Sequence, residues 1–355
     1  MSSNSDQARS VHGCSHLHWR RFDQHIARMR RPLTLACWDY DRTAALADGR
    51  VRPHGVDLRY LSMAVEEIFF RMARFGEFEA AELSLSTYVI SLSRTAPFVA
   101  LPVFPSRAFR HNGVYVHAGS GITEPEDLRG RIVGVPEYQL TAVVWIRGML
   151  AEHYGVPVES VSYRTGGLES PGRVEKLAVD VPGVAIEPID PDRTLSELLV
   201  TGEIDALYAP RLPSPFAAGH PAVRRLWRDS PAAEREYFRA TGVFPIMHVL
   251  ALRRDVYEQD RWLARSLMDA FVEAKRLAEV RLAETAAMAT MLPWGYEEVR
   301  DARALMGEDF WPYGLAPNEH VLRTFLRYLH EQHLSDRLNE PAELFARETL
   351  ETAVI

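Results

Sequence analysis

The stretch RIVGVPEYQLTAVVWIRGM, residues 131–149, reads as a strand, a turn and a helix in direct succession. The apolar run ends at Val135, Pro136 turns the chain, and a helix is predicted to begin near Thr141. Apolar residues then recur at the spacing of a buried helix face, at Ala142, Trp145, Ile146 and Met149. A strand that leads directly into a helix is the building unit of an α/β fold.

The start of this helix is predicted to bind an anion. The first-turn N–H groups of a helix have no partner within it, and the helix dipole adds partial positive charge at the same end. Tyr138, Thr141, Trp145 and Arg147 surround this point and offer hydroxyl groups, an aromatic face and a fixed charge. The alternative interpretation is that Trp145 belongs to the core and Arg147 to a solvated helix surface.

Strand and helix patterns alternate in the part of the chain before this stretch. Strands are predicted at residues 32–38, 56–61, 80–85 and 98–104, with an amphipathic helix at residues 64–75. Such alternation is typical of a parallel sheet flanked by helices, in which ligands bind beyond the carboxyl ends of the strands. Asp39, Glu82 and Ser84 fall at such strand ends and are therefore candidate site residues.

The chain is predicted to form two lobes. A loop carrying Arg107, Arg110 and His111 precedes a strand at residues 113–117, and residues 119–130 are interpreted as a crossing into a second lobe. Residues 242–252 form the predicted return strand, and Arg211 follows a strand of the second lobe. The predicted boundaries are residues 32–120 and 246–355 for the first lobe, with a helical C-terminal part, and 121–245 for the second. A cleft between two such lobes is a common ligand site.

Composition restricts the classes of function. The chain has 355 residues, enough for two domains, with 47% hydrophobic and 25% charged residues, as in soluble globular proteins. A formal charge of −7 argues against a nucleic-acid partner and means that local arginines must hold any anionic ligand. Cys14 and Cys37 are too few for a disulfide framework or a four-thiolate zinc site.

The first 31 residues differ from the rest, since they are polar and rich in histidine. No apolar run follows the pair Arg20-Arg21, so the sequence predicts neither a secretory signal nor a membrane anchor there. We expect a disordered N-terminal extension over residues 1–31, although its histidines leave metal binding open. Apolar stretches elsewhere are too short to span a bilayer. We therefore expect a cytoplasmic protein with no membrane partner, and a homo-oligomer is left open.

Two sets of segments carry a family resemblance. The segments EDLRGRIVGV at 126–135 and LLVTGEIDA at 198–206 resemble the type II periplasmic-binding-protein fold, which both transport proteins and enzymes use. The segments FPSRAFRH at 104–111, GVPEYQLTAVVWIRG at 134–148 and TGVFPIMH at 241–248 resemble the 4,5-dihydroxyphthalate decarboxylase family. The resemblance covers about residues 33–350. It implies removal of CO₂ from an aromatic dicarboxylate without a cofactor, giving protocatechuate.

That chemistry requires a cation for the retained carboxylate, an acceptor for the catechol protons and a general acid. The candidates for the cation are Arg107, Arg110, Arg147 and Arg211, because a guanidinium matches a carboxylate bidentately. We expect the departing carboxylate to face an apolar side chain such as Trp145 or Phe244 instead, since a strong grip would stabilise the ground state. Each arginine could equally be a surface or salt-bridge residue.

His248 and His111 are the predicted proton carriers, because imidazole titrates near neutral pH. Glu82 and Asp39 could accept catechol protons or act on a histidine, or could simply cap a helix or form an ion pair. His248 could also be a hydrogen-bonded core histidine. A divalent metal held by His111, His248 and Glu82 is an open alternative, although no compact metal motif supports it.

Three other functions compete with the decarboxylase interpretation. A solute-binding protein of a transporter would use the same cleft without chemistry, and should carry an export signal or a lipidated cysteine. A menaquinone-pathway lyase of this fold is disfavoured by the segments at 137–142 and 244–248. A related decarboxylase for another hydroxylated aromatic acid is also left open. The sequence has no nucleophile elbow, no Walker-type loop and no cysteine cluster.

Overall fold

The computed structural model describes residues 30–173 and 181–350. The predicted N-terminal extension lies outside the described residues, except that Arg31 already begins the first strand. The strands are β1 (Arg31–Cys37), β2 (Val56–Ser62), β3 (Ala80–Ser84), β4 (Phe98–Leu101), β5 (Val114–His117), β6 (Ile132–Val135), β7 (Ser162–Thr165), β8 (Ile186–Pro188), β9 (Ala206–Tyr208), β10 (Val223–Arg225) and β11 (His248–Arg253).

The helices follow the strands in the alternation that the sequence predicted. They are α1 (Ala44–Ala47), α2 (Val65–Phe75), α3 (Leu85–Leu92), α4 (Thr141–Tyr154), α5 (Leu195–Thr201), α6 (Ser214–Ala217), α7 (Ser230–Thr241), α8 (Arg254–Gln259), α9 (Trp262–Leu282), α10 (Gly295–Met306) and α11 (Glu319–Glu331). The α/β fold class is confirmed. No helix within the described ranges is both long enough and apolar enough to span a bilayer.

The strands form two mixed sheets. The first has the order β2-β1-β3-β11-β4, with β1 parallel to β2 and β3, and β11 antiparallel to β3 and β4. The second has the order β10-β5-β9-β6-β7-β8, in which β9, β6, β7 and β8 run parallel and β5 is antiparallel to β9. Strand β11 returns to the first sheet, as the predicted return strand requires.

Strand β5 belongs to the second sheet, whereas the prediction placed it in the first lobe. The prediction assigned residues 113–117 to the first lobe, but β5 pairs with β9 and β10 of the second sheet. The chain therefore passes between the sheets after β4, in the loop that carries Arg107 and Arg110, and not at residue 120. The sequence could not decide this, because a short apolar strand carries no information about which sheet it joins.

Helix α4 is buried over most of its length and packs against α11 and α3. Its residues from Thr141 to Leu150 are all buried, which is typical of a helix covered on every side. It begins where the sequence predicted and ends at Gly155, whose φ of 60° lies in the left-handed region that favours glycine. The close approach of α11 is possible because residue 148 has no side chain.

Replacing Gly148 with alanine is expected to destabilise the protein. A Cβ at this position would lie 2.1 Å from Cδ2 of Tyr328 in α11, and the Tyr328 hydroxyl is hydrogen-bonded to Glu152. Overpacking of this kind typically costs about 1–3 kcal/mol, more than the gain of about 1 kcal/mol in helix propensity. Thermal and denaturant unfolding should therefore show a lower unfolding free energy for Gly148→Ala than for the parent.

The variant Tyr328→Ala removes the ring and supplies the control. Adding Gly148→Ala to it should cost little further stability, because the contact that opposes the new methyl group is gone. Strictly additive losses in the double variant would show that the clash with Tyr328 is not the cause.

Candidate active site

A cavity of about 220 Å³ lies between the two sheets. It sits beyond the carboxyl ends of β3, β6 and β9, where a sheet of this type is expected to bind ligands. Its lining consists of Val65, Glu66, Phe69, Ser84, Arg110, Pro136, Leu140, Thr141, Ala142, Leu168, Arg173, Pro210, Arg211, Met247 and His248. Residues from both predicted lobes contribute, so the cavity has the position that the cleft prediction gave it.

An imidazole and a buried carboxylate form a hydrogen-bonded pair at the floor of this cavity. His248 is the first residue of β11, and its Nδ1 lies 2.6 Å from Oε1 of Glu82 on the neighbouring strand β3. An ionised carboxylate only accepts hydrogen bonds, so Nδ1 carries the proton and Nε2 is left for the cavity. The imidazole ring makes a T-shaped contact with the Phe69 ring, with the ring centroids 4.8 Å apart.

Glu82 is fully buried and accepts further hydrogen bonds from the end of β1. The Tyr40 hydroxyl donates to Oε1 at 2.6 Å, and the Trp38 N–H donates to Oε2 at 3.0 Å. Burial by itself would raise the pKa of Glu82, but the hydrogen bonds from His248, Tyr40 and Trp38 outweigh it and hold this pKa below its ordinary value. The carboxylate is therefore ionised at neutral pH.

Arg110 supplies to the cavity wall a positive charge that forms no salt bridge within the described residues. Its Nε lies 3.1 Å from Sδ of Met247, no carboxylate of the described residues forms a salt bridge with the guanidinium, and the Glu234 carboxylate acts on it only from a greater distance. Burial lowers the pKa of Arg110 to about 10, so the group is still charged at neutral pH. A partly desolvated charge whose only counter-ion is distant is unfavourable, and an anionic ligand would relieve it.

Two helices begin at the same wall of the cavity. The hydroxyl groups of Ser84, which precedes α3, and Thr141, which begins α4, are 2.9 Å apart. Oγ1 of Thr141 also accepts the Ser86 N–H at 3.0 Å. The N–H groups of Thr141 and Ala142 lie in the first turn of α4 and have no partner within that helix. This arrangement favours a negatively charged group of a ligand.

Two further arginines of the lining are already engaged in ion pairs. Arg211, a predicted site residue, donates from Nε and Nη2 to the carboxylate of Glu66, at 2.7 Å for each contact. Arg173 donates to Oε1 of Glu137, with Nε at 2.9 Å. Glu66, Phe69 and Arg173 were not among the predicted site residues, because nothing in their local sequence marks them as facing a cleft.

Five of the predicted residues therefore line the cavity, and Glu82 supports one of them from beneath. The five are Ser84, Arg110, Thr141, Arg211 and His248. Their roles in binding or catalysis remain predictions.

Arg107 lies elsewhere, contrary to the prediction that it binds substrate. Its side chain is only 6% exposed and donates to the carbonyl oxygens of Phe244, at 3.2 Å, and Pro312, at 2.8 Å, and to the Asn318 side chain. Phe244, expected near the departing carboxylate, instead stacks on Phe109. Arg107 thus ties the loop after β4 to the C-terminal segment.

The predicted anion-binding set around α4 is only partly correct. Trp145 is buried and donates from Nε1 to the carbonyl oxygen of Ile246 at 2.9 Å, so its core interpretation holds. Arg147 is also buried, with its Nε 2.8 Å from Oε1 of Gln332 and its guanidinium carbon 3.5 Å from the centroid of the Tyr138 ring. Neither Tyr138 nor these two residues belongs to the cavity lining.

Two polar predictions also fall outside the lining. Asp39 is exposed on the loop after β1. His111 is fully buried in an aromatic cluster, with Nε2 3.0 Å from the Tyr154 hydroxyl and its ring centroid 4.8 Å from that of Trp227. Desolvation, and secondarily the nearby His153, lowers the pKa of His111 to about 4. His111 is therefore neutral at physiological pH and does not face the cavity.

The metal set of His111, His248 and Glu82 is consequently not assembled, because His111 packs against other aromatic side chains. Throughout the described ranges, no group of three or more His, Cys, Asp or Glu side chains is close enough to hold a metal ion.

His111 is expected to make the stability of the fold depend on pH. Its folded-state pKa, about 4, is lower than the ordinary 6.5, so protons bind preferentially to the unfolded chain between these values. The contribution of neutral His111 to the unfolding free energy is fully present above pH 6.5 and is lost as the pH falls through 4, by on the order of 3 kcal/mol.

Urea unfolding of the parent and of His111→Phe at several pH values would measure this dependence. The phenyl ring keeps the volume of the cluster but cannot be protonated, so the difference between the two proteins should shrink or reverse as the pH falls. Parallel curves for both proteins would contradict the assignment. Turnover by His111→Phe should stay within a few-fold of the parent at pH 7.

Relatives of the chain were identified by sequence. The chain is 46% identical over 322 residues to a 4,5-dihydroxyphthalate decarboxylase of Comamonas testosteroni, covering 90% of this chain and 98% of that protein. It is 44% identical over 210 residues to a 4,5-dihydroxyphthalate decarboxylase of Pseudomonas putida, covering 59% of this chain and 81% of that protein. No family model matches the chain.

Solved structures support the fold assignment. The periplasmic aliphatic sulphonate binding protein SsuA of Escherichia coli matches 90% of this chain and 99% of its own, with a TM-score of 0.52 and 12% sequence identity. A putative periplasmic sulphonate-binding protein of Methylobacillus flagellatus gives a TM-score of 0.52 at 14% identity, over 89% of this chain and 92% of its own. At these identities the likeness concerns the fold alone, and it confirms the two-lobed type II periplasmic-binding-protein-like architecture. By its sequence identity over nearly the whole length of the relative, the chain belongs to the 4,5-dihydroxyphthalate decarboxylase family.

Proposed function

We propose that this protein removes CO₂ from 4,5-dihydroxyphthalate to give protocatechuate, in the cavity between the two sheets. The observation that carries the proposal is the presence, on the wall of one cavity, of a guanidinium without a salt bridge to any described residue and of a carboxylate-bound imidazole. The first suits a carboxylate that stays, and the second suits a proton that must be delivered. Membership of the decarboxylase family supports the same substrate.

The retained carboxylate would bind Arg110 and the first turn of α4. A guanidinium fork can donate two parallel hydrogen bonds to a carboxylate, and the N–H groups of Thr141 and Ala142 add further donors. Arg211 is a weaker candidate for this role than the sequence suggested, because its guanidinium already donates two hydrogen bonds to the Glu66 carboxylate.

The departing carboxylate would face the apolar part of the lining, formed by Val65, Phe69, Leu140 and Leu168. An ionised carboxylate is poorly solvated there, whereas neutral CO₂ has no charge whose solvation could be lost. The environment therefore favours the transition state, in which the charge leaves the carboxylate, over the ground state.

His248 would act as the general acid. Nε2 delivers a proton to the ring carbon that bears the departing carboxylate, while the hydroxyl para to it loses its proton and becomes a carbonyl. The bond to CO₂ then breaks, its electron pair restores the aromatic ring, and the oxygen regains a proton. The net reaction consumes one proton from solvent per CO₂ released.

Glu66 is the carboxylate of the lining and would accept a hydrogen bond from the catechol. Because Arg211 donates to both of its oxygens and its pKa is lowered by that contact, the catechol proton itself would pass to water in the cavity. The sequence had suggested Glu82 or Asp39 for this task, but Glu82 is occupied by His248 and Tyr40, and Asp39 lies outside the lining. No step in this scheme needs a redox or Lewis-acid group, so we propose that the reaction proceeds without an added cofactor.

Incubation of the purified protein with 4,5-dihydroxyphthalate tests the proposal. Chromatography should show protocatechuate, and a CO₂ assay an equal amount of gas. Phthalate itself is the matched control, since it has both carboxylates but no para hydroxyl, and it should bind without losing CO₂. Activity should survive treatment with a strong chelator, and loss of activity that returns with a divalent metal would overturn cofactor independence.

Two other outcomes would identify a different function. Tight binding of 4,5-dihydroxyphthalate without any turnover would indicate a solute-binding protein. Faster turnover of another hydroxylated aromatic acid, measured on a small panel, would assign the family activity to that acid. We further propose that the protein acts in the cytoplasm, which cell fractionation with a specific antibody would test.

A further inference from the structure

The Tyr40 hydroxyl contacts the same carboxylate oxygen as His248. Both donor–acceptor distances are 2.6 Å, from the Tyr40 oxygen and from His248 Nδ1 to Oε1 of Glu82. The other oxygen accepts the Trp38 N–H at 3.0 Å and lies 3.5 Å from the Cys37 sulfur. Both carboxylate oxygens therefore accept hydrogen bonds from donors on β1, on the loop after β1 and on β11. These contacts fix the orientation of the Glu82 side chain.

Tyr40 is held in place from its other side. The guanidinium of Arg42 lies over its ring, 4.1 Å from the centroid, and is itself packed on Trp311 at 4.3 Å. Arg42 also donates from Nε to the carbonyl oxygen of Pro105 at 2.7 Å. The phenol therefore has a fixed position relative to Glu82, although Tyr40 does not line the cavity.

We propose that Tyr40 is a positioning residue for the pair formed by His248 and Glu82. The Tyr40 hydroxyl keeps the Glu82 carboxylate ionised and oriented. As a result, Nδ1 of His248 stays protonated and Nε2 faces the ligand. The inference rests on the proposed function for its catalytic consequence. Its structural content, the effect of Tyr40 on Glu82, holds for the protein without substrate.

The physical reason is the cost of burying a charge. Glu82 has no exposed surface and has no arginine or lysine within ion-pair distance in the described parts of the chain, so its charge depends on His248 and on hydrogen-bond donors. A hydrogen bond to a charged group contributes about 1.5–3 kcal/mol, and its loss at a buried site favours the protonated acid. Tyr40 is the strongest of the donors besides His248, because its contact is shorter than those of the Trp38 N–H and the Cys37 thiol.

Other titratable groups face this pair more distantly. They are the hydroxyl groups of Tyr60 and Tyr313 and the guanidinium of Arg42. Tyr60 provides the matched control, because its hydroxyl donates to the Trp38 carbonyl oxygen at 2.9 Å, lies 3.0 Å from Oγ1 of Thr43, and makes no hydrogen bond with Glu82.

The test compares Tyr40→Phe with Tyr60→Phe. Carbon-13 NMR titration of labelled glutamate carboxyl groups in the free protein should show the Glu82 pKa raised by about one unit or more in Tyr40→Phe. In Tyr60→Phe it should be unchanged. This readout does not require turnover, so it separates failure of the inference from failure of the proposed function.

The kinetic readout is the pH profile of kcat with 4,5-dihydroxyphthalate. The acid limb should move to higher pH in Tyr40→Phe by an amount similar to the NMR shift, while KM changes little. A fall in activity with an unmoved acid limb and an unmoved Glu82 titration would show that Tyr40 is merely structural. Equal shifts in both variants would also overturn the proposal.

Discussion

Replacing His248 is expected to lower kcat by about a hundredfold or more, the usual contribution of a positioned general acid. The substitution His248→Asn is the most informative, because its amide N–H can still donate to Glu82 where Nδ1 did. The asparagine side chain lacks only the proton that His248 carries at Nε2. KM should change by no more than a few-fold, since the carboxylate that stays bound contacts Arg110 in the proposed geometry.

His248→Ala separates the structural role from the catalytic one. It should lose the same activity and also some stability, because the buried Glu82 carboxylate keeps only the donors from β1 and Tyr40. His220, an exposed histidine, provides the control His220→Asn, which should behave as the parent in both assays. A near-normal kcat for His248→Asn would return His248 to the role of a hydrogen-bonded core histidine.

The second large effect is expected at Arg110. Truncation to alanine removes the partner of a desolvated carboxylate, which typically costs about 2–5 kcal/mol, or roughly thirtyfold to several thousandfold in kcat/KM. The loss should appear mainly in KM, because the spectator carboxylate is held equally in the ground and transition states. Arg110→Lys keeps the charge without the fork and should be intermediate.

Stability provides an independent check on this assignment. Arg110 is half-buried and forms no salt bridge in the described ranges, and desolvation, only partly offset by the more distant Glu234, lowers its pKa to about 10, so its charge opposes folding of the empty protein. Arg110→Met should therefore bind substrate poorly yet unfold at the same or a higher temperature than the parent. The exposed Arg239 on α7 provides the control Arg239→Met, which should change neither quantity. A large loss of stability in Arg110→Met would mean that Arg110 is a structural residue.

The sequence was sufficient for the strand and helix that surround the cavity, because their signals are local. The apolar run up to Val135, the turn at Pro136 and the helix from Thr141 form where the pattern predicts them. Glu82 and Ser84 were found by the rule that strand ends meet at the ligand edge of a sheet, and His248 by the chemistry of an imidazole on the predicted return strand. The sheet partners of short strands such as β5 were not predictable, since pairing depends on contacts far along the chain.

The arginines show where local reasoning fails. Arg107 and Arg110 lie three residues apart in one loop, and only the path of the loop decides that Arg110 reaches the cavity. That path depends on the bridge between Arg107 and Ile246. For Arg147, the helix geometry was informative: six residues after Thr141, at about 100° per residue, it lies on a different face of α4.

The two histidines were distinguishable only through tertiary packing. His111 and Trp227 are far apart in sequence, and their contact, with 4.8 Å between ring centroids, makes the site of His111 apolar. Tyr40 was missed for the related reason that its partner Glu82 lies on another strand. A pairwise reading of adjacent strand ends, β1 beside β3, would have brought Tyr40 and Glu82 together.

The contact between the Ser84 and Thr141 hydroxyls also bears on how a ligand reaches the cavity. It joins the start of α3 to the start of α4, and so connects the two sheets at the inner end of the cleft. Any separation of the sheets must either break this contact or swing about it as a pivot. Rotation of the sheets about this contact would move the cavity entrance most, at the ion pair between Glu66 and Arg211. Dissolved salt screens the attraction within that ion pair. The entrance of the cavity should therefore open more readily as ionic strength rises.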